Sequence, residues 1–176
     1  GYLGAIIRNE RILLVSPHRH LENNLSQNLE IKRYCPDFKP VRAILRSIGA
    51  KHVVTKRQTD TYFNLPSGHA RFRRLKIREQ LRRVQLVGYT DTYAGGLRDV
   101  DYIVTPASKA LKETLVGALG VKVVVIKRRE LWTLPNTLFN LDTIEGVGTV
   151  FEAEIVLSDD GTPDQAQRFL DLLEPH

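Results

Sequence analysis

Charged residues that stand two positions apart, inside segments that otherwise look like β-strands, restrict the fold of this 176-residue chain more than any other feature. Side chains at this spacing lie on the same face of a strand, because successive residues point to opposite faces. The alternate positions are largely apolar, as at Leu29, Ile31, Leu75 and Ile77. Each such strand has one apolar face to bury and one charged face to place. The charged pairs are Glu30 with Lys32, Lys76 with Arg78, Lys127 with Arg129, and Glu152 with Glu154.

Two arrangements satisfy this pattern. If every charged pair points to solvent, the chain is a basic β domain with a salt-bridged surface. If the sheet closes with its charged faces inward, the apolar faces can pack against helices outside, and the charges line a lumen that holds a ligand. The recurrence of the pattern in several strands favours the closed sheet. Facing lysines and arginines then require a polyanion, metal-bound carboxylates, or both, to balance their repulsion.

Turn signals divide the chain into short elements that suit a β-rich α+β fold. Three helices are predicted from apolar residues at helical spacing, after Pro40, after Pro106 and after the pair Thr162 and Pro163. The first turn of a helix tolerates proline. Gly49 and Gly120 are expected to end the first two helices. Period-two or β-branched segments predict eight strands between the helices. They cover 27–34, 51–63, 70–80, 82–90, 99–104, 122–132, 136–143 and 148–157.

The length suits one domain. We expect residues 1–26 to form an N-terminal extension, with a small hairpin and a linker, and residues 27–176 to form the domain itself. The single cysteine, Cys35, cannot form an internal disulfide framework. No segment approaches the roughly 20 apolar residues of a membrane-spanning helix, and the N-terminus does not look like a signal peptide. These features predict a cytoplasmic protein with no membrane partner.

A formal net charge of +6 favours an anionic partner. Linked phosphates suit several lysines and arginines that reach in from different strands, because each phosphoryl group offers oxygens to charged donors. The carboxylates of Glu30, Asp142, Glu152 and Glu154 are hard oxygen ligands suited to Mg²⁺ or Mn²⁺. Phosphoryl transfer depends largely on positioning and electrostatics. It therefore does not require the Ser-His or Cys-His pair that we do not find in this sequence.

Six segments, taken in their order along the chain, resemble motifs of the CYTH, or triphosphate tunnel metalloenzyme, family over about residues 27–157. A family signature of alternating acidic and basic residues corresponds here to Asn28-Leu29-Glu30-Ile31-Lys32, and the last strand, Val150 to Glu154, carries paired glutamates. Any one of these motifs is weak alone, but their order makes a chance resemblance improbable. The remaining segments are Gln58 to Phe63, Leu75 to Glu79, Lys127 to Trp132 and Asn136 to Gly148.

The resemblance implies an eight-stranded antiparallel closed β-barrel, or tunnel, with helices packed outside. It also implies a metal-dependent triphosphatase, acting on inorganic or thiamine triphosphate, or a class IV-type adenylyl cyclase acting on ATP. A small-molecule triphosphate or nucleotide would be the partner, and a homodimer is a further implication. Lys32 and Glu154 would be catalytic. Phosphates would bind Lys32, Lys76, Arg78, Lys127 and Arg129, and Mg²⁺ or Mn²⁺ would bind Glu30, Asp142, Glu152 and Glu154.

The sequence departs from the family pattern at several positions. Asn28 replaces a glutamate, Leu138 an arginine and Asn140 a histidine, and Asp91 stands where a basic residue is commoner. These changes keep a second hypothesis open, namely a catalytically impaired tunnel that serves as a polyphosphate- or nucleotide-binding module. Three other arginines would compensate in part for the lost arginine, namely Arg71, Arg73 and Arg74. The first two would need a β-bulge to turn inward.

A third hypothesis is a surface nucleic-acid binder, suggested by the arginine-rich run from Arg71 to Arg83. It ranks last, because single-stranded nucleic-acid binders commonly interleave exposed aromatic residues with basic ones. Here the aromatic residues are better explained as packing residues. They are Tyr62, Phe63, Phe72 and Trp132.

Overall fold

A computed structural model describes residues 26–68, 71–94 and 97–156 of the chain. The predicted hairpin and linker before Ser26 lie outside the described residues, and so does the helix predicted after Pro163. In the described part, neither helix is long and apolar enough to cross a membrane.

The eight strands form one closed barrel in which every neighbouring pair is antiparallel. Going around the barrel, the order is β1-β5-β4-β3-β2-β6-β7-β8. This confirms the predicted fold class. The elements are β1 (Ser26–Tyr34), α1 (Phe38–Ser47), β2 (Lys51–Phe63), β3 (Arg74–Gln80), β4 (Arg83–Ala94), β5 (Leu97–Pro106), α2 (Lys109–Leu119), β6 (Val121–Leu134), β7 (Thr137–Ile144) and β8 (Gly148–Val156).

Both described helices begin at a side-chain cap rather than at a proline. Asp37 accepts a hydrogen bond from the backbone N–H of Lys39 at 2.8 Å, so α1 starts two residues before Pro40. Ser108 caps α2 in the same way, and Pro106 ends the preceding strand. A short polar side chain satisfies one of the free N–H groups of a first turn, which a proline cannot do. The predicted stops are confirmed, since Gly49 and Gly120 both have positive φ, at 81° and 71°.

Strands β4 and β5 are longer than the sequence pattern predicted. They run on to Ala94 and Leu97, on either side of Gly95 and Gly96, and this extension brings Arg98 into the sheet opposite Glu30. Strand β3 is shorter and starts at Arg74, so Arg71 and Arg73 lie before it and are exposed. Inter-strand pairing set these limits, and pairing is not visible in a local pattern.

The main apolar core lies outside the barrel wall, between β6, β7, β8 and helix α1. Leu45 of α1 and Phe139 of β7 are completely buried there, and the rings of Phe139 and Phe151 are 6.2 Å apart. The apolar residues of these strands point outward to this core, and the polar residues at the alternate positions therefore point inward. The buried members of this core are Phe38, Leu45, Ala50, Trp132, Phe139, Leu141, Phe151 and Ala153.

Candidate active site in a charged tunnel

Strand register places every predicted site residue on the inner face of the barrel. Glu30 stands opposite Glu154, and Lys32 stands opposite Glu152, across the β1–β8 pair. Residues directly opposite each other in an antiparallel pair point to the same face. The same rule joins Arg129 to Asp142, and most of these charged side chains are buried. The charged lumen that the sequence predicted is therefore present.

Three glutamates form a compact group in this lumen. Ligand atoms of Glu30, Glu152 and Glu154 all lie within 4.8 Å of one another. Burial, and then the charge of Glu152, raise the pKa of Glu30 and raise the pKa of Glu154 well above its ordinary value. Both shifts come from burial of the carboxylates first and from repulsion between neighbouring carboxylates second. A divalent cation with oxygen ligands fits such a group.

Lys32 and Arg98 balance part of this charge. Lys32 Nζ lies 2.6 Å from Glu152 Oε2, and Arg98 donates a hydrogen bond to Glu30 Oε2. Although burial opposes the charged form, Glu152 raises the pKa of Lys32. The side chain of Lys32 is still 42 % exposed, so this ammonium group remains within reach of a ligand in the lumen.

Glu154, in contrast, is held by amides. Asn140 donates to Glu154 Oε1 at 2.9 Å and to Glu152 Oε1 at 3.1 Å, and Asn28 donates to Glu154 Oε2 at 3.4 Å. The Oδ1 atom of Asn140 is buried with no hydrogen-bond partner in the protein. Two of the four departures from the family pattern, Asn28 and Asn140, thus contact glutamates of this group, and another, Leu138, stands opposite Glu154 in the sheet.

Two Lys-x-Arg pairs each close on one buried aspartate, and we call these units the clasps. In the first clasp, Lys76 Nζ lies 2.8 Å from Asp60 and Arg78 Nε lies 3.2 Å from it. In the second clasp, Lys127 Nζ lies 2.9 Å from Asp142, and Arg129 contacts both oxygens of that carboxylate at 2.7 Å. Each clasp presents a lysine and an arginine to the lumen from alternate positions of one strand.

Burial and charge shift the ionisation of the clasps. Burial of Asp60 opposes its charged form, but the ammonium of Lys76 and the guanidinium of Arg78 hold the pKa of Asp60 well below its usual range. Burial, and then Arg129, lower the pKa of Lys127 to about 8, and burial also lowers the pKa of Lys76. A lysine with a lowered pKa is one whose positive charge would be stabilised by an additional anion.

Asp142 was predicted to bind metal together with the glutamates. The structure places it in the second clasp, held by Lys127 and Arg129, and it is not part of the three-glutamate group. Arg129 Nη2 also lies 3.5 Å from Glu152 Oε1, so the second clasp and the glutamate group are neighbours.

Sequence reasoning missed several inward residues of the site. Asp60 occupies a strand position between apolar or uncharged neighbours, and its partners lie 16 and 18 residues away on β3. Arg98 lay outside its predicted strand. Asp91 accepts hydrogen bonds from Arg98 at 2.9 Å and from Arg74 at 3.0 Å, so Arg74 of the arginine run contacts these charges, and its expected compensating role stays a prediction. The sequence signal for Asp60 is its place between Gln58 and Tyr62 on one face of the strand, since three polar residues at period two mark that face as the polar one.

Comparison with known proteins gives the family and the fold. The family model of the CYTH domain matches residues 26–175, whereas no curated protein sequence matches the chain. The structure of the PH1012 protein of Pyrococcus horikoshii OT3 has a TM-score of 0.62 at 22% identity and covers 81% of this chain and 85% of that one. Two others each have a TM-score of 0.61 at 15% identity and cover 83% of this chain and 84% of theirs. They are a Vibrio parahaemolyticus protein named as an adenylate cyclase candidate, and HpAC1 from Hippeastrum, whose description gives a dominant triphosphatase activity.

Proposed function

This chain belongs to the CYTH domain family, and on that premise we propose that its tunnel binds a triphosphate with Mg²⁺ or Mn²⁺ and catalyses phosphoryl transfer. The observation that carries the proposal is the meeting of two basic clasps and three clustered glutamates in one lumen. Hydrolysis of an inorganic or organic triphosphate is the first assignment, since the Hippeastrum relative is described as a triphosphatase. Cyclisation of ATP by its own hydroxyl is the second, because the same clasps would hold its phosphates.

The clasps would bind the phosphates. A phosphate chain competes with Asp60 and Asp142 for donors of Lys76, Arg78, Lys127 and Arg129, and it adds negative charge where these residues have only one carboxylate between two cations. Charge-assisted hydrogen bonds of this kind are the strong ones, and arginine can also make them in pairs. Because the donors are already fixed by their aspartates, little ordering is needed on binding.

Glu30, Glu152 and Glu154 would hold the cation, together with the unpaired oxygen of Asn140. When bound, Mg²⁺ or Mn²⁺ supplies neutralisation of the charge that develops on phosphate oxygens. Lys32, which already touches Glu152, would stabilise charge on the transferred phosphoryl group. Glu154 would also accept the proton of the attacking water.

The test is a phosphate-release and cyclic-AMP assay with tripolyphosphate, thiamine triphosphate and ATP, each with Mg²⁺ and with Mn²⁺. We expect product from at least one triphosphate, and loss of that activity in Lys127→Met and Glu154→Gln. Arg57→Gln is the matched control, because Arg57 lies in strand β2 of the same barrel but its side chain is 71 % exposed and pairs with the surface residue Glu145. No turnover of any triphosphate would refute the enzymatic assignment.

A binding module without turnover is the second candidate function. The observation that favours it is the amide pair around Glu154, because Asn28 and Asn140 supply no charge where the family pattern has an acid and a histidine. A ligand present at one hundred times its Kd should add about 2.7 kcal/mol to the free energy of unfolding, whether or not it is turned over. Thermal stabilisation by tripolyphosphate without product would support the module. The predicted homodimer and the cytoplasmic location stay predictions.

A further inference from the structure

The turn between β3 and β4 has a leucine where two-residue turns favour glycine or asparagine. Leu81 and Arg82 alone join these strands, because Gln80 and Arg83 already pair in the sheet. Leu81 has a φ of 52°, in the left-handed region that is unfavourable for a side chain with a Cβ atom. The turn between β6 and β7 also enters this region, and it has Asn136 there, at 60°. Leu81 therefore strains the backbone in a way that asparagine or glycine would avoid.

The side chain of Leu81 gains little from packing inside the protein. It is 74 % exposed, the highest value among the large apolar residues of the described ranges. Strained backbone positions persist where the strain serves a function, and exposed apolar groups mark contacts with other molecules. An apolar side chain that is both strained and exposed is therefore typical of a binding element.

Exposed arginines lie beside this turn. Arg82 belongs to the turn itself. Arg57 stands one position beyond Gln58, which is opposite Gln80 at the end of β3, and Arg57 in turn stands opposite Arg128 of β6. Like charges directly opposite each other in a sheet repel. The outer surface next to the turn is therefore strongly basic.

Carboxylates balance this basic surface only in part. Arg57 pairs with Glu145 at 3.2 Å, and the nearby Glu79 of β3 is already bound to a lysine of α2 at 2.6 Å. Within the part of the chain that the structure describes, neither Arg82 nor Arg128 has an ion pair. An anionic surface placed against the turn would reduce the repulsion between these arginines.

We propose that Leu81 enters the interfacial layer of an anionic phospholipid membrane while Arg82, Arg57 and Arg128 bind the lipid headgroups. We call these four residues the basic tip. The inference goes beyond the proposed function, because none of the four belongs to the clasps or to the glutamate group. A hairpin tip needs no membrane-spanning segment to bind at the interface. The basic tip would thus replace the expectation of no membrane partner, which rested on the lack of such a segment.

A lipid surface fits the basic tip better than nucleic acid does. Leu81 is aliphatic, and burial of an aliphatic side chain at the acyl boundary adds to the attraction between arginines and anionic lipids. Single-stranded nucleic acid stacks its bases on aromatic side chains. The exposed tyrosines, Tyr34 and Tyr93, stand near the ends of β1 and β4 that lie away from this turn.

Vesicle flotation of the full chain tests the apolar part of the basic tip. Vesicles of phosphatidylcholine and phosphatidylserine in equal parts should bind the wild type, and vesicles of phosphatidylcholine alone should not. L81N should lower the partition coefficient about tenfold, because the leucine side chain no longer enters the interface. It should also raise the unfolding temperature by about 2–4 °C, because asparagine tolerates the left-handed region. L81M keeps an apolar side chain and should keep the binding.

The same assay tests the charges. The double variant R82Q/R128Q should lower the partition coefficient by roughly 30-fold, at about fivefold for each arginine. The control K39Q/R46Q removes the same charge from two exposed positions of α1 and should lower it by less than about threefold. Thermal unfolding confirms that each variant is folded before the coefficients are compared.

Four results would each overturn the basic tip. They are equal wild-type binding to both kinds of vesicle, wild-type binding by L81N, a lower unfolding temperature of L81N, and equal losses in the two double variants. Tighter binding of a single-stranded RNA oligonucleotide, with the same dependence on Leu81, would also overturn it and assign the surface to nucleic acid. The Kd for tripolyphosphate should be unchanged in L81N, so failure of the basic tip leaves the triphosphate function intact.

Discussion

At the scale of single residues, the buried aspartates hold the site together. Asp60 is 1 % exposed and accepts hydrogen bonds from Lys76, Arg78 and Gln58. A buried carboxylate between two cations costs desolvation, but its removal leaves both cations without a partner. The aspartates therefore keep the clasps folded and basic in the absence of a ligand.

Asp60→Asn should lower the free energy of unfolding by about 3–5 kcal/mol, the usual cost of breaking a buried ion pair. Urea unfolding at pH 7 measures it. Glu145→Gln is the control, since Glu145 and its partner Arg57 are 61 % and 71 % exposed and the expected change is below about 1 kcal/mol. Tripolyphosphate should stabilise Asp60→Asn more than it stabilises the wild type. A loss below 1 kcal/mol in Asp60→Asn would contradict this role.

Lys127 should make phosphate binding depend on pH. Its pKa in the folded protein is about 8, below the ordinary 10.5, so between these values the unfolded chain holds a proton that the folded protein lacks. Stability of the free protein should therefore rise with pH across this window. Binding of a polyanion favours the protonated lysine, so affinity for tripolyphosphate should fall above about pH 8, with proton uptake.

Calorimetry in buffers of different ionisation enthalpy measures this uptake. Lys127→Arg keeps the charge at all these pH values and should reduce both the proton uptake and the fall in affinity. Some dependence should persist, because the pKa of Lys76 is lowered as well. Identical pH profiles for the two proteins would rule out Lys127 as the titrating group.

At the scale of elements, a single outward carboxylate joins helix α1 to the barrel. Glu130 of β6 accepts from Arg42 Nε and Nη2, each at 2.9 Å, and from Trp132 Nε1 at 2.7 Å. Although burial opposes it, Arg42 lowers the pKa of Glu130. The helix is thus fixed over the wall that carries the second clasp on its opposite side.

Glu130→Gln should lower the free energy of unfolding by about 1.5–3 kcal/mol, because it removes the carboxylate charge that strengthens the paired hydrogen bonds from Arg42 Nε and Nη2. The difference from wild type should shrink as the pH falls below 4.5, the ordinary pKa of Glu130, because the unfolded chain then takes up a proton that folded Glu130, with its lowered pKa, does not yet bind. Denaturant unfolding at pH 7 and pH 3.5 measures both effects. Glu113→Gln, an exposed position on α2, is the control, and an unchanged Kd for tripolyphosphate shows that the defect is structural.

At the scale of the whole molecule, the barrel keeps opposite charges on different strands of its inner face. The three glutamates lie on β1 and β8, and the clasps lie on β2 with β3 and on β6 with β7. The glutamate group has an excess of negative charge, and the two clasps have an excess of positive charge, since each has two cations on one aspartate. A cation and a phosphate chain each relieve one excess, and they also attract each other. Their effects on stability should therefore be cooperative.

Mg²⁺ and tripolyphosphate together should raise the unfolding temperature by more than the sum of their separate shifts. Glu154→Gln should abolish most of the shift due to Mg²⁺ and most of the cooperativity, while keeping the shift due to tripolyphosphate alone. Differential scanning calorimetry measures these shifts, with sodium sulfate at equal ionic strength as the control for screening. Strictly additive shifts in the wild type would show that the two ligands do not share the lumen.

Much of this molecule follows from local sequence alone. Alternation at period two is a property of each strand, so the sequence identified the inward faces of Glu30, Lys76, Arg129 and Glu152 before any strand was paired. Helix stops at Gly49 and Gly120 are equally local, because positive φ favours glycine. The family resemblance supplied the closed antiparallel barrel.

Only the tertiary structure decided which charges meet. Asp142 joined Lys127 and Arg129 instead of the glutamates, and Arg98 reached Glu30 across 68 positions of sequence. Asp60 and Asp91 also gained their partners from other strands. The physical reason is that strand register and barrel closure are set by the summed pairing and packing of the whole sheet, whereas the sequence pattern of one strand specifies only the face on which each charge stands.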